Sequence, residues 1–223
     1  MDVVCNYMNR PLLLSFLFIS LAACYDNAQS SNVNTSAAKP VDTKIKTETE
    51  VYTDTTVILF GDTSCELTLH IFDTTNNYDA ENNNAVLTLS EQERNQNKIL
   101  FHDSIFCMYP DIDFKDFNND KIKDVLIFYY TGARANPTYH LYLSDSKNHK
   151  LIRVKGFEEL PNPDLDTTND IITSIALSGA NYYSFYRIDT KNKLINLGHS
   201  FEENPNDSTQ YEKAIRQILK KNE

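Results

Sequence analysis

From residue 56 onward the chain is a succession of short segments rich in β-branched and aromatic residues, each broken off by a turn signal before it can grow long. The segments fall at 56–60, 65–72, 85–89, 99–108, 125–130, 138–143, 151–154, 171–177, 182–188 and 194–198. Alternation with a period of two residues marks them as strands. Gly61-Asp62, Asn76-Asn77 and Ser144-Asp145 are among the turns between them. The expected fold is therefore mainly β, an antiparallel β meander arranged as a sandwich or a small propeller-like array. No repeat of fixed period forces a solenoid or a regular propeller.

One helix is expected, at the C-terminus. Asp207 or Ser208 can cap a helix over 209–221, in which Tyr211, Ala214, Ile215, Ile218 and Leu219 share one face. Lys220 and Lys221 in the last turn suit the helix dipole. Such a helix either lids one end of the β structure or offers an amphipathic face to a partner.

Ahead of the strands lie two segments of different character. Residues 11–21 form an uncharged run, Pro-Leu-Leu-Leu-Ser-Phe-Leu-Phe-Ile-Ser-Leu, preceded by Arg10. This has the form of a signal-peptide core, and it is roughly half the ~20 apolar residues that span a bilayer. It ends in Leu21-Ala22-Ala23-Cys24, which resembles the lipobox cut by lipoprotein signal peptidase. Residues 1–23 are expected to be removed and Cys24 to carry lipid; the alternative is an ordinary secretory cut that leaves Cys24 a plain thiol. The basic region is thin, so Met8 is a second candidate start, with Cys5 upstream of it. Residues 24–55 are Asn, Ser, Thr, Ala, Lys and Asp with few large aliphatic residues, a composition that cannot offset the entropy of ordering. They read as a flexible tether with a reach of roughly 30 Å. Residues 56–223 are the folded domain. Tyr25 gives no aspartate-type retention signal, so the expected place is the outer membrane, facing the periplasm.

With the leader go Asp2 and Arg10, so the formal net charge of −10 is unchanged by processing. An acidic surface argues against nucleic acid and for a cation or a basic partner. Cys65 and Cys107 remain in the domain. In an oxidising compartment they are expected to form a disulfide closing about 40 residues, for which chain entropy gives roughly 4 kcal/mol. The other possibility is two buried free thiols.

The densest polar motif is Asp116-Phe117-Asn118-Asn119-Asp120-Lys121-Ile122-Lys123-Asp124, directly before the apolar stretch Val125-Leu126-Ile127-Phe128. Calcium takes six to eight hard oxygens, and a tight loop supplies them from alternate side chains and a carbonyl. Asp116, Asn118, Asp120 and Asp124 would give side-chain oxygens and Ile122 its carbonyl. The spacing resembles the calcium loops of FG-GAP and related β-rich extracellular modules, except that Lys121 stands where that pattern prefers glycine. A surface turn that merely collects Asp and Asn is the plainer explanation.

Residues 113–188 resemble a family of bacterial periplasmic lipoproteins that includes immunity proteins against cell-wall lytic effectors. The resemblance is carried by Asp113-Phe114-Lys115-Asp116-Phe117-Asn118-Asn119-Asp120, Tyr139-His140-Leu141-Tyr142, the stretch from Phe157-Glu158-Glu159-Leu160 to Asp166, and Ile171-Ile172-Thr173-Ser174. It implies a calcium-bearing β protein related to periplasmic lysozyme inhibitors. Ser178-Gly179-Ala180-Asn181-Tyr182 then resembles the Ser-Gly loop with a following Tyr that such inhibitors push into the enzyme cleft. Thr131 and Gly132 after Tyr129-Tyr130, with Arg134, are a loose match to a second inhibitory motif. Without the resemblance both are hairpin turns.

Catalysis is not expected. The histidines at 70, 102, 140, 149 and 199 form no His-x-x-x-His pair, there is no Gly-x-Ser-x-Gly elbow, and Glu158-Glu159 in a strand would face opposite ways. Two functions remain open: an inhibitor or immunity protein against a lysozyme-like peptidoglycan hydrolase, and a calcium-stabilised envelope module that binds glycan or another envelope protein.

Overall fold

Hairpin after hairpin, the alternating segments pair with their sequence neighbours. The computed structural model describes residues 53–74, 80–94, 96–132 and 134–221. The leader, Cys24, nearly all of the tether and the turn at Asn76-Asn77 lie outside the described residues.

Among the described residues, twelve strands make three antiparallel sheets of four. Sheet A holds β1 (Thr53–Ile58), β2 (Cys65–Ile71), β3 (Ala85–Glu93) and β4 (Gln96–Ile105) in sequence order. Sheet B holds β5 (Ile112–Lys115), β6 (Asp124–Thr131), β7 (Pro137–Asp145) and β8 (Lys150–Val154). Sheet C holds β9 (Asp164–Asp166), β10 (Ile171–Ala176), β11 (Tyr182–Ile188) and β12 (Leu194–Glu202), and α1 (Gln210–Lys221) follows. The fold is thus a mainly β antiparallel meander with one C-terminal helix, and no sheet closes into a barrel.

Side-chain parity stacks the sheets. In sheet A, Leu67, Leu69, Ile71, Ala85, Leu87 and Leu89 turn inward while Glu66, Thr68 and Thr88 turn out, the pattern of a sheet with one wet face. The inward set packs on Val125, Ile127 and Tyr142 of sheet B. From the opposite face of sheet B, Leu126, Leu141 and Leu143 pack on Leu165 and Ile172 of sheet C, with Phe157 and Leu160 filling the gap. Phe157 comes from a 3-10 turn, Phe157–Glu159, so Glu158 and Glu159 do not lie in a strand.

The next residues along β10 and β11 face the other way. Ile171 and Phe185 meet Ala214, Ile215 and Ile218 of α1. The helix therefore covers the outer face of sheet C, where a lid over one end was expected. Thr209 opens the helix, its carbonyl accepting the Lys213 N–H at 3.0 Å, and Asp207 braces the turn before it: the Lys213 ammonium at 2.8 Å, then the hydroxyl and N–H of Thr209 at 2.6 and 3.0 Å, hold the Asp207 carboxyl down at about 2.

Cys65 and Cys107 are not bridged; both are free and buried. Cys65 begins β2, whereas Ile71 at its far end pairs with Ala85, and Ala85 with Ile105, two residues before Cys107. The length of β2, roughly 20 Å, separates the thiols, against the ~4.4–6.8 Å between Cα atoms that a disulfide needs. Asn84 fixes Cys107 at that far end, accepting its N–H at 2.8 Å and donating to its carbonyl at 3.0 Å.

Phe157→Ala is expected to cost about 3–5 kcal/mol in urea unfolding, because it empties the layer between sheets B and C. Ile99→Ala, at a residue 64% exposed on β4, leaves the midpoint in place.

Candidate functional site

Between β5 and β6 the chain turns through Asp116–Lys123 on hydrogen bonds from its own backbone. Asn118 Oδ1 accepts the Asp120 N–H at 3.2 Å, Asp120 Oδ1 accepts the Ile122 N–H at 2.8 Å, and Asp116 Oδ2 accepts the Lys121 N–H at 2.9 Å. Asn119 and Lys121 adopt left-handed backbone, with φ of 59° and 74°. The position that the calcium pattern gives to glycine is thus left-handed here, and a lysine there costs roughly 1 kcal/mol.

Asp124 ends the loop wholly buried at the start of β6. Its two oxygens accept the N–H groups of Phe117 at 2.8 Å and Ser144 at 3.0 Å. Burial first, then the charges of Asp120 and Asp116, push its carboxyl up to about 6 against the pull of those N–H groups. Asp116 Oδ1 is buried with no hydrogen-bond partner. The donor set, three carboxylates, the Asn118 amide oxygen and the Ile122 carbonyl, is all hard oxygen, which fits calcium; the buried unpaired oxygen is what a cation would satisfy.

The two loops singled out by the inhibitor resemblance meet. Asn136, at the end of the β6–β7 loop, donates from Nδ2 to the Leu177 carbonyl at 3.0 Å and accepts the Leu177 N–H on Oδ1 at 2.8 Å. Asn162 donates to the same Asn136 Oδ1 at 2.9 Å and to the Ile175 carbonyl at 2.8 Å. The end of the β6–β7 loop is thereby tied to Leu177, the residue before Ser178; Arg134 is exposed, and Thr131 ends β6. Gly179 has φ of 97°, and a Cβ there would meet only open space, so backbone conformation alone calls for glycine. Ser178 Oγ donates to the Ala180 carbonyl at 2.8 Å. Tyr182 is 45% exposed, and its hydroxyl donates to Ser200 Oγ at 2.6 Å, so its ring lies along sheet C toward β12.

A polar network between sheets A and B was not legible as a set. Arg153 donates to Asp103 at 3.0 Å, to His140 Nδ1 at 3.1 Å and to Glu158 at 3.4 Å; Tyr142 donates to Asp103 at 2.9 Å. Because His140 Nδ1 accepts, its proton sits on Nε2 and is donated to the Phe106 carbonyl at 3.0 Å. Burial, then the adjacent guanidinium, lower its pKa to about 4. The available clue was parity: His140 and Tyr142 are two residues apart in β7 and so share one face of the strand.

Comparison with protein-family models, with curated proteins and with solved structures returns no match.

The His140 imidazole binds its proton at about 4 in the fold and at its ordinary 6.5 when unfolded, so the unfolded chain gains the proton first as pH falls. Its contribution is complete above 6.5 and is lost between 6.5 and 4. Asp124 is shifted the opposite way. The stability difference between the parent and His140→Gln isolates the histidine: the parent is expected to lose ground to the variant as pH falls through that window, by urea titration at stepped pH.

Proposed function

We propose that this protein is a non-catalytic, lipid-anchored envelope protein that binds and inhibits a lysozyme-like peptidoglycan hydrolase, with a structural calcium ion in the 116–124 loop. The observation that carries the inhibitory reading is the Asn136 clamp. Two loops with separate resemblances to inhibitory motifs leave different sheets, and one side chain ties them into a single surface. Ser178 and Gly179 offer a small, exposed turn that can enter a cleft closely, and its hydroxyl can turn from Ala180 toward a carboxylate. Arg134 adds a fork suited to a carboxylate, and Tyr182 flanks the turn with rigid aromatic area. The net charge of −10 over the whole chain favours encounter with a basic enzyme. Cys24 and the tether would hold the domain at the inner face of the outer membrane, where such enzymes act.

The purified protein is expected to lower the activity of a lysozyme-type hydrolase from a test panel. Tyr182→Ala or Ser178→Arg should weaken that inhibition about 30-fold or more, the scale of a hot-spot contact, with the unfolding midpoint unchanged. Full inhibition by both variants would sink the loop assignment; no effect of the parent on any hydrolase would leave a binding module.

Calcium at millimolar levels is expected to raise the thermal midpoint and a chelator to reverse it, as for weak extracellular sites. Asp120→Ala removes the response. A midpoint indifferent to both treatments rejects the ion.

A further inference from the structure

At the end of the A–B interface that carries the β1–β2 turn, four potential metal donors from four chain segments converge. Asp62 lies in that turn, Cys65 starts β2, Glu91 stands opposite Cys65 on β3, and His149 ends the β7–β8 turn. Cys65 Sγ is 3.4 Å from His149 Nδ1 and 3.9 Å from Glu91 Oε1, and those last two atoms are 3.0 Å apart. The donor atoms of Asp62, Cys65 and His149 all lie within 4.8 Å of one another. We propose that Cys65 and His149, with Glu91 or Asp62, bind a thiophilic divalent metal of the zinc class that staples sheet A to sheet B.

The four side chains already meet through a His149–Glu91 hydrogen bond and thiol contacts, and their spacing is compatible with a shared ion. With metal–sulfur near 2.3 Å and metal–nitrogen and metal–oxygen near 2.0–2.2 Å, neighbouring donors in a tetrahedral site stand about 3.4–3.6 Å apart. The three measured separations straddle that range, so movements of a few tenths of an ångström would seat an ion. The donors are also held from outside. His149 has a left-handed backbone, φ of 48°, and its ring stacks on Phe60 with centroids 5.2 Å apart and planes 9° from parallel. Ser64 takes one oxygen of Asp62 through its N–H and its hydroxyl, at 2.9 and 2.8 Å. Such outer contacts orient metal ligands in established sites.

The chemistry differs from that of the 116–124 loop. A thiolate and an imidazole are poor partners for calcium and good ones for zinc, cobalt or copper. Cys65 is fully buried, so it is poorly placed to serve as an attacking nucleophile. Metal binding would displace the thiol proton to solvent, with no change of oxidation state. Because the donors belong to both sheets, occupancy would fix the outer sheet to the middle one at the end opposite Cys107.

The test uses the full chain, reduced and stripped with chelator, and cobalt(II) as the probe, followed by zinc displacement. One equivalent of cobalt should produce a thiolate-to-cobalt charge-transfer band with the visible bands of a tetrahedral ion, and zinc should abolish both. At a hundredfold excess over Kd, zinc should raise the thermal midpoint by about 5–10 °C. His149→Gln, checked for a folded far-UV spectrum without metal, should lose the bands and the midpoint shift, whereas Asp120→Ala keeps both. Absence of a charge-transfer band in the parent, or its persistence in His149→Gln, would overturn the proposal.

Discussion

Sheet B is buried on both faces, and the rest of the domain is arranged around that constraint. A sheet in this position cannot leave polar groups to water, so every polar side chain it carries inward needs a partner inside the protein. Asp124 shows how this is met: at the entry of β6 it accepts one N–H from the loop before it and one from Ser144 on β7. One buried carboxylate thereby fixes the 116–124 loop to the middle sheet. His140 solves the same problem by remaining neutral, with one ring nitrogen donating to Phe106 and the other accepting from Arg153.

That constraint is written in the sequence. Val125-Leu126-Ile127-Phe128 and Leu141-Tyr142-Leu143 are unbroken apolar runs because alternate residues serve different cores, whereas Leu67, Leu69 and Ile71 alternate with polar residues because sheet A has one wet face. All ten expected strands are present. The two that escaped notice, β5 and β9, are four and three residues long, and Asp164-Leu165-Asp166 has too little β-forming character to stand out. Helix α1 was legible from its apolar stripe, but the face it covers was not, since a stripe does not say which sheet will receive it.

Long-range juxtaposition is where the sequence runs out. Spacing within one loop put Asp116, Asn118, Asp120 and Asp124 in register, because a tight turn brings near neighbours together. No local rule places Arg153 against Asp103, or His149 against Cys65. Both depend on how sheets A and B stack. The disulfide expectation failed for the same reason: Cys65 and Cys107 are some 40 residues apart, and three antiparallel strands, β2 to β4, carry them to opposite ends of one sheet. Compartment chemistry says that a disulfide is permitted, and only topology says whether it is possible.

A meander of stacked sheets places its variable chemistry at its ends. The strands are committed to packing, so side chains free to bind something must come from hairpin turns, and turns from neighbouring sheets lie side by side. The Asn136 clamp joins two such turns across sheets B and C, and the Cys65–His149 contact joins the first residue of β2 to the β7–β8 turn across sheets A and B. In each case residues distant in sequence are held by a scaffold that pays no attention to their identity. Loop composition can therefore change without disturbing the layers, and the proposed recognition surface shares no residue with the proposed metal site between the other two sheets.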